Sequence, residues 1–358
     1  MEASPRERER VNVAPGHVFH SIISFENLLS AWREFLRGKR KRKDVAEFSL
    51  NLTDNILALH RELASKTYRH GPYQAFKIND PKPRDIHKAT VRDRLLHHAI
   101  YRMLYPHFDR KFIFDSYSCR INKGTHRAMN RFAKYTWKVS CNHTQTAWVL
   151  KCDVKKFFAS IDHTVLKNIL RQKINDSKTL WLLGEIIDSF NTNNYLGIGL
   201  PLGNLTSQLF ANVYMNELDQ FIKRKLKVRY YVRYADDFII VHENKAFLEN
   251  FLLKISQFLK TRLRLLLHPD KILIKTFASG IDFLGWVHFP NHQVLRTATK
   301  RRMSKNLQQN QSDETISSYI GFLSYGNTYK LKKRLFAKNI KFGVKAYEKA
   351  LKDLDFID

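Results

Sequence analysis

Apolar residues recur at helical spacing from Phe25 to Leu36 (Phe25, Leu28, Leu29, Trp32, Phe35, Leu36), and the run RGKRKRKD behind them predicts a solvated basic loop. The first 16 residues are charged and poor in apolar side chains, which predicts a leader outside the core. YQAFKINDPKPRDIHK predicts two strands around a Pro-bearing turn, and a helix is expected from about Val91, with Leu95, Leu96, Ile100, Met103 and Leu104 on its apolar side. A strand over 147–152 delivers Asp153 at its end and runs into a helical stretch; Leu166, Ile169 and Leu170 mark a further helix. The polar, Gly-bearing loop NTNNYLGIGLPLGN then leads into a helix with Leu205, Leu209 and Val213 at i, i+4 and i+8. VRYYVRYADDFIIVHE is two β-rich runs with almost nothing between them, a hairpin signal. A helix over about 246–259 should bury Phe247, Phe251, Leu252, Ile255 and Phe258, LRLLLHPDKILIKTF and IDFLGWVHF supply short strands, and a basic helical tail begins near Arg296.

Charge adds a partner to this picture. The 358 residues carry 62 Lys and Arg against 33 Asp and Glu, a formal net charge of +29, while 44% of the chain is apolar. Such a chain folds and faces a polyanion, nucleic acid before an anionic membrane surface. No apolar run approaches the roughly 18 residues needed to span a bilayer, and no signal-peptide pattern opens the sequence, so a cytoplasmic protein with no membrane partner is expected. Cys119, Cys141 and Cys152 are too few and too scattered for a disulfide framework or a zinc knuckle.

Against that basic background, Asp236 and Asp237 stand side by side inside the hairpin signal. Adjacent carboxylates repel, and a bare structural turn is better served by Asn-Gly or Asp-Gly. A multivalent cation removes the conflict: Mg²⁺ is held by one or two carboxylates together with substrate phosphates, and two ions can clamp the attacking and leaving oxygens of a phosphoryl displacement. Asp153, at the end of another strand, is the candidate third acid; the competing reading makes it the N-cap of a helix beginning at DVKKFF. Arg84, Lys88, Arg92 and Arg94 cluster around a turn and a helix start, where guanidinium forks suit phosphate oxygens, although a solvated basic face would look the same.

YADD in a hydrophobic hairpin, DVKKFFASIDH before it and FLGW after it resemble the palm motifs of reverse transcriptases in the correct order, and PKPRDIHKATVRDRLLHHAI and FDSYSCRINKGTHRAM resemble the fingers motifs. The resemblance implies an α+β right-hand polymerase fold, with a leader and basic helical extension over 1–45, fingers over 46–145, a palm over 146–290 that includes some fingers elements within 160–200, and a helical thumb over 291–358. It implies two Mg²⁺ ions held by Asp153, Asp236 and Asp237, with the Val154 carbonyl completing the shell, and Lys271 as the group that protonates departing pyrophosphate. Phe158 matches the steric gate against the sugar 2′ position, with Phe157 as its core neighbour. Arg84, supported by Arg92 or Arg94, together with Leu202 and Gly203, matches the surroundings of the incoming nucleotide. Arg120, Lys123, Ser207 and Gln208 fall where nucleic acid is bound.

GLPLGNLTSQLFANVYMNELD narrows the resemblance. Group II intron and retron enzymes usually carry Gln before the glycine and Ser-Pro at the helix start, where this chain has Leu202 and Ser207-Gln208. That departure resembles the reverse transcriptases of diversity-generating retroelements, which copy a template-repeat RNA with errors at adenines (mutagenic retrohoming). The implied partners are that RNA, its RNA/cDNA hybrid, deoxynucleoside triphosphates and a basic, helical, typically pentameric accessory variability protein, in a bacterial, archaeal or phage setting. Leu202 offers only apolar contact where an amide could position a nucleotide, which implies weak discrimination. The other readings are a group II intron-like, retron or abortive-infection enzyme, a catalytically inert nucleic-acid-binding protein, and a metal-dependent nuclease.

Overall fold

The computed structural model describes residues 18–78, 83–192, 195–309 and 312–337. The expected leader, the Pro-bearing turn at 79–82 and the tail beyond 337 lie outside them. The class is α+β, with antiparallel sheets among many helices, as expected.

In chain order the elements are α1 (Val18–Ile23), α2 (Phe25–Phe35), α3 (Lys43–Leu50), α4 (Leu52–Ala64), β1 (Gln74–Ile78), β2 (Arg84–Lys88), α5 (Val91–Asp109), α6 (Thr125–Val139), β3 (Trp148–Asp153), α7 (Phe157–Ser160), α8 (His163–Arg171), α9 (Ser177–Asp188) and α10 (Leu205–Gln220). A π-helical turn over Phe221–Lys225 follows, then β4 (Tyr231–Tyr234), β5 (Asp237–His242), α11 (Lys245–Arg262), β6 (Leu273–Thr276), β7 (Ile281–Phe283), β8 (Trp286–His288), β9 (Gln293–Leu295), α12 (Thr297–Gln309), α13 (Asp313–Leu323) and α14 (Tyr329–Ala337). The three sheets are β1-β2, β4-β5-β3-β6 and β7-β8-β9.

The chain divides into two compact units. The first gathers 1–123, 152–238 and 251–272, and its centre is helical: α5 packs against α2 and α10. Thr90 caps α5 by accepting a hydrogen bond from the Asp93 amide, and Leu95, Leu96, Ile100 and Leu104 are buried as their spacing demands. α10 is buried nearly all round, so its polar side chains Asn212, Asn216 and Asp219 must find partners inside the protein. The second unit gathers 124–151, 239–250 and 273–358, in which Phe132 of α6 meets Phe277, Phe283 and His288 edge-on.

Two expectations need correction. α11 buries Leu248, Ile255 and Leu259 fully; of the expected stripe only Ile255 is among them, Phe251, Leu252 and Phe258 are half-buried and Phe247 is 51% exposed. Aromatic bulk drew the stripe toward residues that lie at the edge of the contact. LRLLL does not form a strand of its own; only an isolated bridge joins Leu267 to Val154. The cysteines are unpaired, as expected. Among the described residues no helix is long and apolar enough to cross a membrane.

Within the first unit a buried ion pair ties α10 to β4. Arg233 and Asp219 both have fully buried side chains, and the guanidinium meets the carboxylate through Nε at 2.7 Å and Nη2 at 2.6 Å. Tyr231 donates to the same carboxylate at 2.8 Å. Removing one member of such a pair leaves a buried charge unpaired, so Asp219→Ala is expected to cost about 3–5 kcal/mol. Urea unfolding should show the midpoint falling at unchanged slope, with much of the loss recovered in Arg233→Met combined with Asp219→Leu. A loss below about 1 kcal/mol in the single variant would refute the bracing role.

Candidate active site

The YADD turn is as tight as the sequence suggested. β4 ends at Tyr234, Ala235 and Asp236 form the turn, and β5 begins at Asp237. Ala235 sits at φ +55°, a left-handed conformation that costs a non-glycine residue about 1–2 kcal/mol. The Arg233 guanidinium offsets this by donating from Nη1 to the Ala235 carbonyl at 3.0 Å; the same nitrogen donates to Asn212 Oδ1 at 3.3 Å, and Nε and Nη2 hold Asp219. The backbone on the other side is fixed as well: Arg233 N donates to Asp115 O and Tyr117 N donates to Arg233 O, both at 2.9 Å.

Asp153 is brought to this turn by backbone. β3 runs through Asp153, and the next residue, Val154, donates its amide to the Asp236 carbonyl at 3.3 Å. On the opposite side His268 N donates to Asp153 O and Lys155 N to Leu266 O, both at 2.8 Å. The N-cap reading of Asp153 falls away, because the residue preceding α7 is Lys156, at φ +45°.

Electrostatics inside this group are tense. Burial, and then the negative charge of Asp153, hold the Asp236 carboxyl above the usual carboxylate range; the positive charges of Lys271 and Arg84 oppose them. Lys271 lies in a single helical turn at Pro269–Lys271 and donates from Nζ to Asp153 Oδ1 at 2.8 Å. Two carboxylates brought together, with a third on the next residue, form a donor set of hard oxygens suited to Mg²⁺. Among the described residues no three His, Cys, Asp or Glu side chains form a ready-made metal cage.

The remaining candidates divide. Phe157 is buried at 3% exposure, while Phe158 beside it is half-buried with its carbonyl accepting from Leu200 N at 2.7 Å. Leu202 is half-buried, and its carbonyl accepts from His87 N of β2 at 3.0 Å. Gly203, at φ +104°, approaches Ile86 so closely that a Cβ would lie 2.8 Å from that side chain. This pins the Leu202-Gly203 loop to the strand that starts with Arg84.

Arg92 and Arg94 are engaged elsewhere. Arg92 bonds Glu62 at 2.8 Å and the Arg69 carbonyl at 2.6 Å, and Arg94 bonds Asp44 at 2.6 Å. Arg120 is no surface contact: its side chain is 6% exposed and bonds Asp109, the Ile113 carbonyl and Ser116. It holds the chain that flanks β4. Ser207 is 2% exposed on α10, and Gln208 is half-buried. Lys123 places its ammonium 3.4 Å from the centre of the Phe114 ring. Arg120 and Ser207 are thus interior, which a match to a family motif does not reveal.

Sequence reasoning missed Arg233, Asp219 and Asn212. A signal existed: Arg233 interrupts an otherwise apolar strand two residues before Ala235, and a buried arginine requires an acid.

Replacing the strained acid should stabilise the metal-free protein. Because the folded-state pKa of Asp236 is raised, its ionised form opposes folding, fully so above that raised pKa and not at all well below the ordinary value of 3.8. Asp236→Asn is therefore expected to raise Tm by roughly 1–3 °C at pH 7.5 without metal, a gain that fades on acidification. Mg²⁺ should raise the Tm of the wild type and much less that of the variant. An unchanged or lower Tm in metal-free Asp236→Asn would count against the repulsion.

Residues 77–288 match the family model described as reverse transcriptase (RNA-dependent DNA polymerase). Protein YkfC of Escherichia coli strain K12 is 27% identical over 289 residues, covering 70% of this chain and 73% of YkfC. The group II intron-encoded protein LtrA of Lactococcus lactis subsp. cremoris is 24% identical over 321 residues, covering 70% of this chain and 52% of LtrA. The putative COX1/OXI3 intron 2 protein of Saccharomyces cerevisiae is 22% identical over 356 residues, 80% of this chain and 40% of that protein. The chain thus spans about half or less of the two intron-encoded relatives. A solved telomerase from Candida albicans, in complex with a fragment of telomeric RNA, shares 12% identity at a TM-score of 0.49, over 80% of this chain and 58% of that one.

Proposed function

Because the chain belongs to the reverse transcriptase (RNA-dependent DNA polymerase) family, we propose that it copies an RNA template into DNA at the Asp153–Asp236 site, adding deoxynucleotides to a primer 3′ hydroxyl. The observation that carries this reading is the backbone link from Val154 to Asp236, which brings the carboxylate at the end of β3 to the two carboxylates of the hairpin turn. Asp153, Asp236 and Asp237 would hold two Mg²⁺ ions, with the Val154 carbonyl as a further oxygen ligand. Bound there, the ions supply charge neutralisation for the attacking hydroxyl and the departing pyrophosphate.

The other side chains act on the substrate. Arg84, whose charge reaches Asp236, is placed to meet the triphosphate. Lys271, whose Nζ donates to Asp153 Oδ1, is the donor available to the pyrophosphate. Phe158 is the steric gate against a 2′ hydroxyl, and Leu202 and Gly203 shape the apolar side of the nucleotide site. The net charge of +29 holds template and hybrid through their backbones.

In primer extension with an RNA template, dNTPs and Mg²⁺, Asp236→Ala and Asp153→Ala are each expected to lower the rate by at least about a thousandfold, which is about 4 kcal/mol of transition-state stabilisation. Synthesis retained in both variants would refute the assignment. An inert binding protein would show no extension in the wild type, and a nuclease would degrade template without needing dNTPs.

The finer reading is a diversity-generating retroelement enzyme that copies a template-repeat RNA inaccurately at adenines with a basic, helical accessory variability protein. Leu202 and the Ser207-Gln208 pair support it. A group II intron-like enzyme is the second reading, favoured by the similarity to LtrA. Sequencing the cDNA separates them. Errors concentrated opposite template adenine and reduced several-fold in Leu202→Gln support the first; an even, low error rate unaffected by that substitution supports the second.

A further inference from the structure

Within the first unit, residues 197–200 of the loop before α10 run antiparallel to the stretch from Phe158 to the start of α8, with Ile198 bridged to Asp162. His163 N donates to Gly197 O at 2.9 Å, Gly199 N to Ile161 O at 2.8 Å and Leu200 N to Phe158 O at 2.7 Å. The loop that carries Leu202 is thereby laced to the segment that carries Phe158.

The weak point of this lacing is Gly199. Its φ of +108° is one that L side chains rarely adopt, and a Cβ there would stand 2.0 Å from Thr192 Oγ1, so only glycine fits. Glycine, however, does little to restrain the peptide that follows it. One side chain supplies the restraint. His163, the first residue of α8 and 3% exposed, reaches Gly199 O with Nε2 at 2.7 Å. A carbonyl only accepts, so Nε2 bears the hydrogen and donates it. Nδ1 makes no hydrogen bond, although Asp188 Oδ1 lies 3.4 Å away, so the ring's hydrogen bonding is spent on Gly199.

The Gly199 carbonyl and the Leu200 N–H belong to one planar peptide. That plane is held at both ends, by His163 at its oxygen and by the Phe158 carbonyl at its nitrogen, and bonds in such a chain polarise one another. Without the imidazole, the carbonyl of this buried glycine must turn toward another donor, and the turn takes the N–H away from Phe158. Pro201 does not absorb the movement, because its ring fixes φ and restricts Leu200 before it. Beyond it the loop is already fastened to β2: the Leu202 carbonyl accepts from His87 N at 3.0 Å, and Asn204 Nδ2 donates to His87 O at 2.9 Å. The peptide joining Gly199 to Leu200 is thus the part of the loop left for His163 to hold.

We propose that His163 is a positioning residue for nucleotide selection: by fixing that peptide it keeps Phe158 at the spacing that rejects a 2′ hydroxyl. The inference rests on the reading of Phe158 as the steric gate of a polymerase. A gate works only while its ring stays in contact with the sugar, and a displacement of about 1 Å is enough to change a rate substantially.

Single-nucleotide addition to a primer on an RNA template, with kcat/KM measured for dATP and for ATP, tests this. His163→Leu should lower the preference for dATP over ATP at least about tenfold, mainly through better use of ATP. His163→Gln, whose amide nitrogen stands where the imidazole Nε2 does, should stay within about threefold of the wild type. Where His163→Leu does not fold, His163→Asn, whose amide reaches only as far as Nδ1, is read in its place. A merely structural role would slow both substrates alike; an unchanged preference would overturn the proposal, as would an equal loss in His163→Gln and His163→Leu. Phe158→Ala in the same assay separates premise from inference. If it leaves the preference unchanged, the gate reading fails and the proposal with it; a preference lost in Phe158→Ala and kept in His163→Leu overturns the proposal alone. No addition by the wild type would refute the polymerase reading on which both rest.

Discussion

The interaction on which the site depends is the buried contact of Arg233 with Asp219. A guanidinium with five donors answers, in one place, a carboxylate on α10, an amide side chain on the same helix and the carbonyl of a strained alanine in the turn. Alone, a left-handed alanine followed by two acids would relax, since the backbone strain and the charge repulsion push the same way. Anchored to a helix that is buried nearly all round, the turn has no such freedom. Buried ion pairs are poor sources of stability, and this one is better understood as fixing a geometry.

A second constraint is electrostatic. The protein is strongly basic, yet one carboxylate held above its ordinary pKa, Asp236, lies beside Asp153, opposed by Lys271 and Arg84 and within the field of the buried Arg233. Many other candidate cations are neutralised within the fold: Arg92 by Glu62, Arg94 by Asp44, Arg120 by Asp109. Much of the chain's positive charge is thus spent on acids inside the fold. What the site lacks is positive charge, and in the proposed reaction the metal ions provide it.

Much of the fold was legible because periodicity reports directly on which side chains leave water. The β1–β2 pair, the start of α5, β3 with Asp153 at its end and the two-residue turn at Ala235-Asp236 all appear where the apolar pattern put them. The pattern failed where apolar residues exceed what the core can cover. α11 has more large side chains than one face can hold, and packing buried Leu248, Ile255 and Leu259 fully while leaving Phe251, Leu252 and Phe258 half-buried and Phe247 exposed. Polar residues were the least legible. Arg120 and Ser207 look like surface contacts in one dimension and are interior in three.

The sequence by itself determined the chemistry on offer: three acids, in order, on strand ends of a basic chain, which is enough for the family. Hydrophobic alternation and turn residues act over a few positions, so they are written locally. The tertiary structure decided which acids meet and what steadies them. The Val154–Asp236 hydrogen bond and the Arg233–Asp219 pair join residues that no local pattern relates. Partnership of buried polar groups is set by the whole packing arrangement, because each must be satisfied wherever the chain happens to bring it a donor or an acceptor.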